Sequence, residues 1–193
     1  MQRAIPSVLA CLALAPGLAL AGAQQYEQLS ASVRASLAKA VVEPSTRVPR
    51  DASLDAWVNT VLPRVSARMA DDRGARELLG LVHYEALRAG LEPRLVLAII
   101  DVESAFRKYA VSTAGALGYM QVMPFWVKEI GASGQNLFHP RTNLRYGCVI
   151  LRHYLEIEGG NLYNALARYN GSLGKGGYPE RVLDAMRTRY TPS

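Results

Sequence analysis

A chain of 193 residues with half its composition apolar can bury one sizeable core and hardly two. Charged residues make up 20%, which excludes a disordered polyelectrolyte. The net charge of +6 favours polyanionic partners, yet no basic run is longer than Arg107-Lys108, so a generally cationic surface is indicated over a nucleic-acid footprint.

The N-terminus reads as an export signal. Met1-Gln2-Arg3 is positively charged, Val8 to Leu20 is almost wholly apolar, and small residues follow at Ala19, Ala21 and Ala23. Residues 1–23 are therefore expected to be a cleaved signal peptide, cut after Ala21 or Ala23. The apolar run is short for a transmembrane helix, and Cys11 follows too short a leader for a lipid anchor. Without the leader, Cys148 is the single cysteine, so no intramolecular disulfide is available. It sits among apolar neighbours at helical spacing, which indicates packing and disfavours a cysteine nucleophile.

Residues 24–50 read as a tether or a first helix, broken by Pro44 and Pro49. One domain is expected over 51–193. Leu54, Trp57, Val58, Val61, Leu62 and Val65 recur at helical spacing, with Pro63 expected to kink or divide that helix. A second helix is expected over Ala75–Ala89, closed by Gly90, and a third opens at Pro93, where proline is tolerated. In that third helix Glu103 falls at the edge of the apolar face near the end, while Asp101 is expected about 200° away, toward solvent. Then come a short helix ending at Gly131, a long one over Asn143–Glu158, LYNALARYN capped by Asn161, a Gly-rich loop, and a last helix opened by Pro179. No period-2 strands or internal repeats are evident. The expected fold is all-α.

The organising stretch is ESAFRKYAVSTAGALGYMQVMP, Glu103 to Pro124. Glu103 is its only acid, and the next is Glu129. A glutamate beside an apolar stripe with loops over it has its charged form disfavoured, and a neutral carboxylic acid near neutral pH can protonate a leaving-group oxygen. Glycoside cleavage is the reaction class that most often uses such an acid. The structural alternative is an exposed helix-end glutamate paired with Arg107. Ser112, Thr113, Gln121, Tyr169 and Asn170 offer neutral hydrogen-bonding groups suited to sugar hydroxyls and N-acetyl groups. Tyr119, Trp126 and Tyr178 offer flat faces for sugar rings, although Trp126 and Met123 also suit a core and Ser112 suits a turn.

The order of these residues is specific. Glu103-Ser104, then S-x-x-G-A-x-G-x-M-Q-x-M-P from Ser112 to Pro124, then Tyr169-Asn170, resembles the family 1 soluble-type lytic transglycosylases of bacterial cell-wall metabolism, over roughly residues 75–185. The resemblance implies a lysozyme-like helical domain with a glycan cleft. It also implies cleavage of the β-1,4 bond between N-acetylmuramic acid and N-acetylglucosamine, with Glu103 as sole acid and base. Ser112, Gln121, Met123, Tyr169 and Asn170 match the family's sugar-binding positions. Two departures stand out: Tyr119 replaces the usual leucine, and RYNGS replaces A-Y-N-A-G, which introduces Arg168 and Gly171-Ser172.

A retaining glycosidase needs a second carboxylate roughly 5–5.5 Å from the first, and residues 104–128 supply none. A hydrolytic muramidase remains an alternative if a distant segment brings one in. A non-catalytic wall-binding component of a secretion or conjugation machine is the other. Expected partners are peptidoglycan strands and, for local wall opening, a secretion or conjugation apparatus, with no nucleic acid and no stable membrane anchor. The chain is expected to act as a periplasmic monomer. His83, His139 and His153 are scattered, so no metal or other cofactor is expected.

Overall fold

The computed structural model describes residues 24–42, 52–69 and 71–191. The expected signal peptide at 1–23, and the Pro44–Pro49 break, lie outside the described residues.

Among the described residues there are eight helices and no strands beyond isolated bridges, as the all-α expectation required. They are α1 (Ala31–Val42), α2 (Ala52–Met69), α3 (Asp72–Arg88), α4 (Pro93–Ser104), α5 (Phe125–Ile130), α6 (Pro140–Ile157), α7 (Leu162–Asn170) and α8 (Tyr178–Arg189). No described helix is long and apolar enough to cross a membrane.

Helix α4 is the axis of the molecule. Its middle, Leu95 to Ile100, is apolar on every side, and a helix apolar all round has to be enclosed on every side. Helix α3 packs on it from one direction and α8 from another, while α6 joins α3 to α7. Pro93 opens α4 at its first turn, as the sequence indicated. Helix α1 packs on α5 and α6, and its Leu37 and Val41 belong to the same apolar cluster as the other helices. Pro63 neither divides nor ends α2, which runs through it with Val61, Leu62 and Val65 buried. Cys148 is fully buried and free, and burial raises its thiol well above the usual range.

Two buried acids fix the helices around this axis. Glu85 of α3 has no exposure and is met by Arg88 at 2.9 Å and Arg145 of α6 at 3.0 Å, with Arg141 at 3.9 Å. Asp101 of α4 corrects the sequence reading, because it does not face solvent. It is 6% exposed and is held by Arg68 of α2 at 3.2 Å, by Arg189 of α8 at 2.6 Å, and by the Tyr190 hydroxyl, which donates at 3.0 Å. The 200° estimate gave the right side of the helix. It missed that α2 and α8 cover that side and bring their own cations. Removing one partner of a buried ion pair is far costlier than removing an exposed one. Asp101→Ala is therefore expected to lower stability by about 2–4 kcal/mol in urea unfolding, against less than about 1 kcal/mol for the exposed Arg187–Asp184 pair broken by Asp184→Ala.

Candidate active site

Glu103 lies in the last turn of α4, where the helix leaves the core. The chain then turns sharply: Ala105 and Phe106 both adopt left-handed φ, 49° and 62°, without being glycine. Such conformations are uncommon and mark places where the surroundings over-determine the backbone. The Ala105 amide donates to the Asp101 carbonyl, Ser104 Oγ to the Ile100 carbonyl, and Phe106 is buried at 4% exposure beside Tyr190. Packing behind the turn thus holds Glu103 at the helix end.

The motif block that follows is a compact cross-braced loop. Leu117 and Val122 exchange both backbone hydrogen bonds at 3.0 Å, and the Gly118 amide donates to the Ala110 carbonyl at 2.9 Å. Asn143 of α6 organises it from below. Its Nδ2 donates to the Leu117 and Leu137 carbonyls at 2.8 and 2.9 Å, and its Oδ1 accepts from the Met120 amide at 2.8 Å. Gly118 has φ 75°, and a Cβ there would fall 2.5 Å from Asn143 Nδ2 and 2.8 Å from the Leu137 carbonyl. Only glycine fits this approach.

Around the Glu103 carboxyl the structure gathers Tyr178 at the start of α8, Asn170 at the end of α7, and Arg181 one turn into α8. Burial raises the Tyr169 pKa, the nearby Glu103 charge adds to that rise, and the Tyr169 hydroxyl donates to the Met120 carbonyl at 2.7 Å. The Tyr178 hydroxyl is buried, has no other partner, and acts on the Glu103 carboxyl. Removal from water raises the Glu103 pKa from 4.5 to about 7; hydrogen bonding from Tyr178 and Asn170 and the charge of Arg181 pull it down less strongly. None of the groups acting on Glu103 among the described residues is an acid. Asp101, the nearest acid in sequence, is committed to Arg68, Arg189 and Tyr190.

The remaining sequence candidates fall into three groups. Asn170, Tyr178 and Tyr169 join Glu103. Ser112 and Met123 are partly exposed in or beside the block, and Ser112 Oγ accepts from the Ala116 amide at 3.0 Å, closing the turn. Gln121 and Tyr119 are placed differently from expectation. Gln121 has φ 49°, is buried, and its side-chain amide donates to the Ala110 and Gly118 carbonyls at 3.2 and 2.9 Å, so it braces the loop. Tyr119 is 5% exposed within the apolar cluster, so it fills the core and offers no open face. Trp126 is likewise core, at 3%.

Three residues escaped the sequence reading. Asn143 lies in a helix that looked merely amphipathic. Arg181 follows Tyr178 by three positions on α8, with its guanidinium 5.9 Å from the Tyr178 ring centroid, and helical spacing alone would have paired them. Gln24 comes from the run expected to be a tether. It is 4% exposed, donates to the Gln121 carbonyl at 3.3 Å and accepts from the Met123 amide at 3.1 Å. Among the described residues no group of His, Cys, Asp and Glu has the arrangement of a metal site.

With this geometry in view, comparison with known proteins is specific. Residues 80–181, more than half of the chain, match the transglycosylase SLT domain, and the chain belongs to that family. It is 38% identical over 119 residues to the membrane-bound lytic murein transglycosylase C of Yersinia pestis (strain Pestoides F), covering 53% of this chain and 33% of the relative. The protein of the same name from Yersinia pseudotuberculosis serotype O:1b matches to the same extent. The chain thus spans about a third of the length of the curated relatives it matches. Among solved structures, an inactive mutant of the lytic transglycosylase Slt from Pseudomonas aeruginosa aligns at 29% identity with a TM-score of 0.45, over 57% of this chain and 22% of that one.

A carboxyl whose folded pKa lies above its unfolded value binds more protons when folded, so it destabilises the fold as pH rises from about 4.5 to about 7 and fully above that. Glutamine is neutral throughout. Glu103→Gln is therefore expected to raise stability at pH 8 by about 1–3 kcal/mol while leaving it nearly unchanged at pH 4, as read from melting curves across that range.

Proposed function

We propose that this chain is a peptidoglycan lytic transglycosylase that cleaves the β-1,4 bond between N-acetylmuramic acid and N-acetylglucosamine without water. One observation carries the reading: the single Glu103 carboxyl, its pKa raised to about 7 by loss of water, is met by Asn170, Tyr178 and Arg181, with no acid acting beside it.

In its neutral form Glu103 donates its proton to the glycosidic oxygen as the C1–O4 bond breaks, and the N-acetylglucosamine end leaves as an alcohol. Positive charge develops at C1. Asn170, Tyr178 and the substrate's own acetamido group supply dipoles to stabilise it. Glu103, now a carboxylate, takes the proton from the C6 hydroxyl while that oxygen bonds to C1. The product is a 1,6-anhydro ring, and the enzyme returns to its starting protonation state. A pKa near 7 suits one group that must give and then take a proton in a neutral compartment. A second carboxylate, which a retaining hydrolase would use as nucleophile, is not required. Ser112 and Met123 line the approach to the block, and Tyr169 and Gln121 hold its backbone.

The surroundings of this activity belong to the same reading. A leader at 1–23 exports the chain to the periplasm, where its cationic surface is drawn to the carboxylates of peptide stems. There it acts as a monomer on glycan strands, opening the wall locally for a secretion or conjugation apparatus. The test is mass spectrometry of products from purified peptidoglycan, with Glu103→Gln alongside. Muropeptides one water lighter than hydrolysis products are expected from the wild type, and at least a thousandfold less from the variant. Ordinary reducing ends would instead establish a muramidase, and no release by the wild type would favour a wall-binding role.

A further inference from the structure

The segment before α1 lies directly on the motif block. Gln25, Tyr26, Glu27 and Gln28 are exposed, whereas Gln24 is buried at 4%. One side chain is thus inserted while its neighbours stay on the surface. The inserted group is a carboxamide, and it is used at both ends: its N–H donates to the Gln121 carbonyl and its oxygen accepts from the Met123 amide. It also lies against the Tyr169 hydroxyl, itself beside Glu103.

Two surface contacts hold the segment down. The Tyr26 ring meets the Phe125 ring edge-on at 5.6 Å. Glu27 pairs with Arg168 at 2.7 Å, and Arg168 is oriented from its other side by Glu158 at 2.6 Å. Arg168 is the residue that stands where the related A-Y-N-A-G run has alanine. The departure in α7 and the insertion of Gln24 are therefore parts of one device.

An N-acetyl group presents the same atoms as a glutamine side chain: an amide N–H that donates and a carbonyl that accepts. We propose that Gln24, seated in a carboxamide slot made by the Gln121 carbonyl and the Met123 N–H, is a plug from within the chain that an N-acetyl sugar displaces from these backbone groups. The ligand class rests on the peptidoglycan reading above. Because each hydrogen bond lost to Gln24 is regained by the sugar, the exchange is nearly balanced in contacts. What opposes the sugar is the high effective concentration of a tethered competitor. The segment then acts as a built-in brake, and whatever pulls residues 24–29 away releases it.

The test uses the whole chain, purified after export, with tri-N-acetylchitotriose as probe. Wild type, Gln24→Ala and Glu27→Lys are compared by calorimetric titration and by hydrogen exchange at the Met123 amide. Gln24→Ala is expected to tighten sugar binding about tenfold, and Glu27→Lys, which touches no slot atom, several-fold. Exchange at Met123 should accelerate in free Gln24→Ala and slow again when sugar is added. Unchanged or weaker binding by folded Gln24→Ala overturns the proposal, as does an absence of sugar binding by all three proteins. If Gln24→Ala does not fold, Glu27→Lys decides by the same criterion. Tighter binding by variants of a chain that releases nothing from peptidoglycan would keep the slot and remove the catalytic reading. Release of anhydro-muropeptides without any tightening would do the reverse.

Discussion

Everything in this molecule turns on how one helix treats its two acids. Helix α4 is apolar over its whole middle, so a carboxylate on it loses much of its contact with water. Asp101 receives two guanidiniums and a tyrosyl hydroxyl, and it ties α2 and α8 to the axis. Glu103, two residues on, is met by an amide, a tyrosyl hydroxyl and a single cation on the exposed face of α8. That is too little to offset the loss of solvent, and the proton stays on to about pH 7. Two carboxyls of similar intrinsic acidity thus acquire different roles from their surroundings alone.

The surrounding fold serves to keep that imbalance. The left-handed Ala105 and Phe106 end α4 abruptly, so Glu103 sits at an edge and not inside a continuing helix. Each such residue costs on the order of 1 kcal/mol. Buried Phe106 and the hydrogen bonds of the turn offset that cost. Opposite, the motif block is set by Asn143, whose side chain satisfies three backbone groups, and by Gly118, the one residue that can pass so close to it. Gln121 bonds to the loop's own carbonyls and Tyr119 packs in the core, so both secure the block.

The sequence disclosed the helices because their apolar periodicity is strong, and it singled out Glu103 because that is the only acid in a long neutral and basic run. Asn170 was visible as a neutral polar residue at a glycine-bounded helix end, and Tyr178 only as a flat aromatic face. Tyr119 and Gln121 were misjudged for a common reason: a one-dimensional pattern names a residue type but not which way a looped backbone turns it. With Gln121 at a positive φ, its side chain swings back onto the loop. Asp101 was misjudged because its cations come from α2 and α8, remote in sequence. Gln24 left no local signal at all, since its burial depends on a docking surface about a hundred residues downstream.

The N-terminal segment changes how the site is read, because Gln24 is bonded to the backbone of the motif block. Helix α1 and the residues before it join the core that carries the motif block, and a tethered amide touches the backbone where the block meets Tyr169. An acid poised near neutrality and a docked N-terminal amide are separate features of one neighbourhood. The first is the more basic. Its direct test is a carbon-13 titration of the Glu103 side-chain carboxyl in the folded chain, followed from pH 3 to 9. A midpoint near 7, moved by replacement of Tyr178 or Asn170, is the result predicted here. A midpoint near 4.5, the ordinary value for a solvated glutamate, would contradict the account.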